Sequence, residues 1–502
     1  MQQQPPETIN HHREETSTDA NTINNAIATT TISLHGNTAL DHQGPSSSTV
    51  VGSEPPSTSD SCFPGGRDPT TEKQTWSDER PVLSSCSSPV KESCEADRIR
   101  PPNGGCRAWL VVAGGFINFM VTFGILNSFG TFQAHYETKW PHLSTSTITW
   151  IGSVQLCLFF LGGIFIGPLF DRYGGQRLML IGTTFCILSF LGASWSTQYW
   201  HYLMSQGFLL GCGSALLFYP TTGSISEWFD EKRGFALGIA VSGSSLGGVF
   251  WPMLLHSLFN SVAEEVVHRI IAVISTPLLL LSCYLIRTRP GRAHSGDEVV
   301  GSRRRSILKA ILEPRFISLS FVLMILYAGM LIPFYYIPIY SEERGVGHVM
   351  ANNLLSISYG GSFIGRIGSG WLADIFGRFN ILALLCLLMS IMTLSWIWMS
   401  SMMALVAFAV LFGLFSAGLV PLGSACVAQT TPDMGHIGLR IGVMMAISSI
   451  GALAGGPASG LLRESYGGWP AVHLFSACLS LLGALLLLAV RWWHQPRLLA
   501  RF

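Results

Sequence analysis

Blocks of about 20 apolar residues recur along this chain, each long enough to cross the roughly 30 Å hydrocarbon core of a bilayer as one helix. They run over 109–132, 148–170, 178–195, 203–225, 234–255 and 270–285, then over 316–340, 354–373, 381–399, 403–426, 438–461 and 471–490. Lipid offers no partner to backbone N–H and C=O groups, so segments of this kind fold as helices that satisfy their own backbone. The expected fold class is an all-α membrane protein of about 12 transmembrane helices. Composition agrees: of 502 residues, 48% are hydrophobic and 12% charged, too few charges to cover a soluble protein of this size.

Polar segments divide the spans. Residues 1–105 are rich in Ser, Thr, Pro and Asn and bury too little apolar area to offset ordering entropy, so a disordered tail without a signal-peptide h-region is expected there. A first six-helix half is expected at 106–286, an Arg-rich central loop at 287–315, a second half at 316–491 and a short tail at 492–502. Basic residues set the orientation. Arg98, Arg100 and Arg107 precede the first span, Arg172 and Arg177 follow the second, and Lys232 and Arg233 follow the fourth. Arg303, Arg304, Arg305 and Lys309 lie in the central loop, Arg378 follows the eighth span, and Arg491, Arg497 and Arg501 follow the last. The opposite loops carry Glu264, Glu265, Glu342 and Glu343. The positive-inside rule then puts both termini and the central loop in the cytoplasm.

The two halves repeat. Gly167-Pro-Leu-Phe-Asp171-Arg172-Tyr-Gly174 recurs as Gly370-Trp-Leu-Ala-Asp374-Ile-Phe-Gly377. Gly234, Gly238, Ser244, Ser245 and Gly247 recur in order as Gly438, Gly442, Ser448, Ser449 and Gly451. Parallel repeats of this kind suit a carrier whose halves rock about a central site. Asp171 and Asp374 stand where spans end, each positioned to face the positive N-terminus of a neighbouring helix and to pair with Arg172, Arg177 or Arg378. Those five residues are the expected gating latch. Gly-x-x-x-Gly spacings such as Gly163/Gly167 and Gly361/Gly365 are read as close helix packing.

Arg366 reads as the only formally charged side chain deep within a span. It lies two turns, roughly 12 Å, from Asp374, and a charge at that depth needs a cavity or a partner. A guanidinium there suits a carboxylate or enolate on a solute. Asn118, Asn127, Tyr335 and Tyr336, with Tyr219, are expected to line the same cavity through aromatic faces and hydrogen bonds. Pro333 and Pro338 are expected to bend the seventh span. No Asp or Glu lies mid-span to carry a coupling proton.

Other chemistries find no support. The cysteines form no CxxC or Cys/His cluster, so neither a metal site nor a disulfide framework is indicated. Gly243-Ser244-Ser245-Leu246-Gly247 fits the Gly-x-Ser-x-Gly pattern but lacks a strand–turn–helix and a His or acid placed to serve Ser245. There is no Walker-type loop for ATP, and no basic block interleaved with aromatics for nucleic acid. The chain is expected not to be an enzyme and to need no cofactor. Its expected partners are a bilayer and a small organic anion.

The Gly-x-x-x-Asp-Arg-x-Gly pattern at Gly167–Gly174 resembles the signature of the major facilitator superfamily. Pro102-Asn103-Gly104-Gly105 with Arg107-Ala108-Trp109, and Trp228-Phe229-Asp230-Glu231-Lys232-Arg233-Gly234-Phe235-Ala236-Leu237-Gly238, resemble two stretches of its monocarboxylate-transporter-like members, the fungal type most closely. The resemblance spans 102–490. It implies two pseudo-symmetric six-helix halves, rocking-type alternating access and residence in the plasma membrane. It also marks departures. Asn103 stands where that family has Asp, Asn127 where lactate-type members have Lys, and Ser362 where they have an Asp one turn before the Arg kept here as Arg366. Lactate-type proton symport is not implied. The expected function is secondary transport of a small organic acid or acidic secondary metabolite, as efflux. The alternatives are an importer of a monocarboxylate or vitamin-like nutrient, and a nutrient sensor that does not transport.

Overall fold

Long helices follow the apolar blocks, and most run past the block ends because amphipathic turns continue them beyond the hydrocarbon. The computed structural model describes residues 103–288, 311–431, 434–465 and 468–494. The expected tail over 1–105 and the central loop over 287–315, with Arg303, Arg304, Arg305 and Lys309, lie almost wholly outside the described residues, as do Arg497 and Arg501 of the C-terminal segment. The first half comprises α1 (Cys106–Lys139), α2 (Thr145–Tyr173), α3 (Gly175–Ser194), α4 (Tyr199–Trp228), α5 (Arg233–Ser261) and α6 (Glu264–Leu285). The second comprises α7 (Pro314–Glu343), α8 (His348–Phe376), α9 (Arg378–Trp398), α10 (Met402–Gln429), α11 (Ile437–Ser465) and α12 (Trp469–His494). Among the described residues there is no strand.

Eleven of these helices are long and apolar enough to cross a membrane. The exception is α8, which has 29 residues but is rich in polar ones, including Ser356, Ser358, Ser362, Arg366, Ser369 and Asp374. A helix of that composition is stable at membrane depth only when protein or a cavity, rather than lipid, meets its polar face. That is how α8 is used: it lies between α5 and α10. The outer surface of the bundle is apolar, with Phe165, Val273, Ile364 and Leu461 well exposed, as a lipid-facing belt requires. The chain is a multi-span membrane protein.

The halves meet along two seams, α5 against α8 and α2 against α11. Both seams are backbone-to-backbone. A methyl group at Gly234 or Gly370 would run into the facing glycine's carbonyl or the Asp374 carboxylate, and one at Gly442 into the Gly163 carbonyl. Only glycine lets helices approach this closely. Gly174 and Gly377, the last residues of the repeated pattern, have φ of 75° and 94°, and that left-handed step lets α3 and α9 start immediately after α2 and α8.

Each half is knitted at the face opposite Asp171 and Asp374. Lys139 Nζ meets Glu264 Oε2 at 2.6 Å, and the Tyr136 hydroxyl lies 3.4 Å from His268 Nε2. The second half carries the counterpart: the Tyr340 and His473 rings stand 4.9 Å apart, and Glu343 receives Arg463 and the Trp469 indole N–H. One expectation changes in detail. The first span does not stop near residue 132 but continues to Lys139 through a break at Ser128, whose hydroxyl bonds the Gly124 carbonyl at 2.7 Å. The α7 helix runs unbroken through Pro333 and Pro338.

Candidate functional site

The first element of the site is a pair of carboxylates at helix N-termini. The first turn of a helix leaves N–H groups without intrahelical partners and carries partial positive charge. Asp374, at the end of α8, accepts the N–H of Gly234 at 2.9 Å and of Phe235 at 2.7 Å, both in the first turn of α5. Asp171, at the end of α2, accepts the N–H of Gly438 at 2.9 Å and of Leu439 at 2.8 Å in the first turn of α11. Charge-assisted bonds of this kind contribute roughly 1.5–3 kcal/mol each. Both join opposite halves.

Guanidinium groups surround these contacts unequally. Arg378 Nε stands 3.5 Å from Asp374, and its Nη2 donates to the Asp230 carbonyl in the α4–α5 turn. On the other seam Arg172 lies over the Tyr173 ring at 5.2 Å, and Arg177 is exposed on α3. Two buried arginines were not anticipated here. Arg233 Nε donates to the Phe229 carbonyl at 2.9 Å, and Arg440 donates to the Thr430 carbonyl at 2.8 Å and to Glu313. Each fastens the start of a seam helix to the connection before it. Arg440 was detectable as a charge one turn inside an apolar block.

The second element lies two turns deeper. Arg366 Nη1 donates to the Ser244 hydroxyl at 2.8 Å and also to the Ser245 hydroxyl. Both serines are on α5, so these bonds cross the seam. The expectation of a lone cation is thereby amended: the guanidinium has partners, supplied from 122 residues away by the run that mimicked a hydrolase pattern. They are neutral, and Arg366 Nε is buried without a hydrogen-bond partner in the protein. Tyr327 and Tyr359 stand near enough to interact electrostatically with the guanidinium. Tyr359 stacks on Phe334 at 6.0 Å, and Tyr327 meets Phe160 edge-on at 6.5 Å across the halves. Neither tyrosine was singled out from sequence.

The remaining candidates divide. Tyr335 is 43% exposed, lies against Gly456 of α11 and interacts with Tyr359. Tyr336 turns away, donating to the Gly456 carbonyl at 3.1 Å and packing on Trp469. Asn118 is fully buried, its amide donating to the Leu217 carbonyl at 3.0 Å and the Thr221 hydroxyl at 2.7 Å, which ties α1 to α4. Asn127 is partly exposed at the break in α1. The Tyr219 hydroxyl donates to the Phe160 carbonyl at 2.9 Å and fills the space beside Gly163. Among the described residues no group of His, Cys, Asp and Glu is placed to hold a metal ion.

The Major Facilitator Superfamily model matches residues 110–405 and 398–499. The MFS-type transporter pynF of Aspergillus niger is 39% identical over 394 residues, covering 78% of this chain and 90% of that protein. The aspyridones efflux protein apdF of Emericella nidulans is 34% identical over 388 residues, covering 77% of this chain and 78% of that protein. Among solved structures, the E. coli fucose:proton symporter superposes with a TM-score of 0.62 at 17% identity, over 76% of this chain and 98% of that one. The human organic anion transporter MFSD10 does so with 0.62 at 18% identity, over 77% of this chain and all of that one.

Proposed function

We propose that this chain, which belongs to the Major Facilitator Superfamily and is a secondary transporter, exports an acidic secondary metabolite by binding its anionic group at Arg366. The observation that carries the reading is the guanidinium's position. It sits at mid-depth on the seam, held by two neutral hydroxyls, with Nε buried and unpartnered. A buried cation with only neutral partners is costly, and a planar anion is what a guanidinium fork pairs with best. Tyr327, Tyr335 and Tyr359 supply hydroxyls and ring faces for the rest of the solute. The efflux protein for aspyridones among the fungal relatives supports the direction of flux. The monocarboxylate-transporter-like stretches, with the arginine in the eighth span and without its acidic neighbour, support an acid as solute and argue against a lactate-type proton step.

Alternating access follows from the seams. With Asp171 and Asp374 bonded to α11 and α5, the face that carries them is shut. The basic residues of that face assign it to the cytoplasm, and the family resemblance supports the plasma membrane as the place of residence. Solute entering from the cytoplasm requires both contacts to break. When it displaces Ser244 and Ser245 from Arg366, it removes a cross-seam tie and lets the halves rock.

The test is flux in a transporter-deficient fungal host and in oriented vesicles, across a panel of acidic metabolites and neutral analogues, with surface level measured. Arg366→Gln is expected to abolish transport of the acid at normal surface level, and Arg366→Lys to retain weak binding with reduced flux. Normal flux of the acid in well-expressed Arg366→Gln overturns the anion site. Net inward movement under an outward gradient overturns the export reading.

A further inference from the structure

Two sequence stretches at the latch face, set far apart in the chain, meet in the fold, and the first of them is used by neither the latch nor the solute site. The first is Asn103 to Trp109, where the chain enters α1. The second is Trp228 to Phe235, the turn from α4 into α5. The Asn103 carboxamide oxygen accepts the N–H of Asp230 at 2.7 Å and of Glu231 at 2.9 Å. Trp109 packs edge-on against Phe229 at 5.2 Å and Phe235 at 5.9 Å, on either side of that turn. Asn103 has a φ of 53°, a conformation asparagine tolerates better than most residues, and it is the one non-glycine residue so placed among those described. The backbone is thus held in an uncommon shape that points the carboxamide at two successive amides.

The clamped turn is wired to the latch. The Asp230 carbonyl accepts from Arg378, whose Nε stands 3.5 Å from Asp374. The Asp230 carboxylate stands 3.4 Å from Arg233, the first residue of α5. The amides that Asp374 receives belong to the next two residues, Gly234 and Phe235. Asn103 therefore fixes the orientation of the α5 N-terminus that the Asp374 carboxylate must meet.

We infer that Asn103 is a positioning residue for the gate: it holds the α4–α5 turn so that the α5–α8 latch can close. The inference rests on the latch reading of Asp171 and Asp374. An acceptor oxygen at this place is the requirement, and Asp would meet it as Asn does.

The experiment uses the full chain in lipid nanodiscs, with hydrogen–deuterium exchange over 229–236, 374–380 and 436–441, and flux in vesicles. Asn103→Ala is compared with Asn103→Asp, Asn103→Gln and Asp374→Asn. Loss of a merely local contact would raise exchange at 229–236 alone. The inference expects Asn103→Ala also to raise exchange about 5- to 10-fold at 436–441, the distant latch that Asn103 does not touch, and to lower turnover. Asn103→Asp should restore both, and Asn103→Gln, whose oxygen lies one methylene further out, should fall between. Adding Asn103→Ala to Asp374→Asn should change little, because both act on one contact. Unchanged exchange at 436–441 in Asn103→Ala, with a clear rise in Asp374→Asn, overturns the inference and leaves the latch standing. Should Asp374→Asn raise nothing at 436–441, the latch reading falls and this inference with it. If Asn103→Ala fails to reach the membrane, the Asn103→Gln exchange pattern decides by the same criterion.

Discussion

Asp374 and Gly234 stand 2.9 Å apart across one seam, carboxylate to amide, and the other seam repeats the distance between Asp171 and Gly438. The halves are thus held by two chemically equivalent contacts at one face. Asp171→Asn and Asp374→Asn each keep an acceptor oxygen and lose the charge that the helix N-terminus attracts, a cost of about 1–2 kcal/mol. Each is expected to shift the carrier toward a state open at that face, and the double variant further. Spin-label distances between the ends of α2 and α11 measure it. A distance distribution unchanged in the double variant would show that the carboxylates serve only to end their helices.

The seams require glycine for a steric reason. Gly442→Ala puts a methyl group against the Gly163 carbonyl, and Gly370→Ala puts one against the Gly234 carbonyl. Overpacking of a backbone contact costs roughly 1–3 kcal/mol. These substitutions are expected to reduce turnover several-fold while the protein still reaches the membrane. By contrast, Gly360→Ala meets nothing within 4 Å and should be silent in the same flux assay.

Removal of both serine hydroxyls leaves the Arg366 Nη1 without its partners. In Ser244→Ala/Ser245→Ala the guanidinium depends on the solute alone. Affinity for an acidic solute should rise and stability of the empty protein should fall, by about 1–3 kcal/mol for an orphaned buried donor. Thermal unfolding with and without solute reads both: a larger solute-induced rise in Tm than in the parent is the expected result.

At the opposite face Glu264 accepts Lys139 at 2.6 Å and has His135 at 3.5 Å, with only 12% of its side chain exposed. Glu264→Gln leaves Lys139 without a counter-charge and should lower stability by roughly 1–3 kcal/mol, with solute affinity unchanged. Thermal unfolding and binding measured on the same preparation separate the two effects. A large loss of affinity would place this pair in the transport path instead of the scaffold.

Much of this architecture is written locally and was therefore legible. Span length, the repeat of Asp171 at Asp374 and the glycine spacings depend on neighbours in sequence. Contacts between distant segments are a different matter. Arg366 announced itself by depth, but Ser244 and Ser245 are two serines in a small-residue run, and nothing local pairs them with it. Asn118 and Tyr336 are polar groups in spans, as cavity residues are, yet their bonds go to neighbouring helices within their own half. Which face of a helix points inward depends on the packing of all its neighbours. Tyr359 escaped notice for the same reason: α8 is polar over much of its length, so one more polar residue carried no signal.

The bonds from Arg366 to Ser244 and Ser245 have an electrical consequence. Hydroxyls solvate the guanidinium without neutralising it, so the empty site keeps a full positive charge inside the membrane. An anion bound there cancels it. The transmembrane potential, which acts with about 2.3 kcal/mol per charge per 100 mV, then bears on the reorientation of the empty carrier and hardly on that of the loaded one. On the proposed reading of an exported anion bound at Arg366, the return stroke, not the export stroke, becomes the step whose speed is set by voltage.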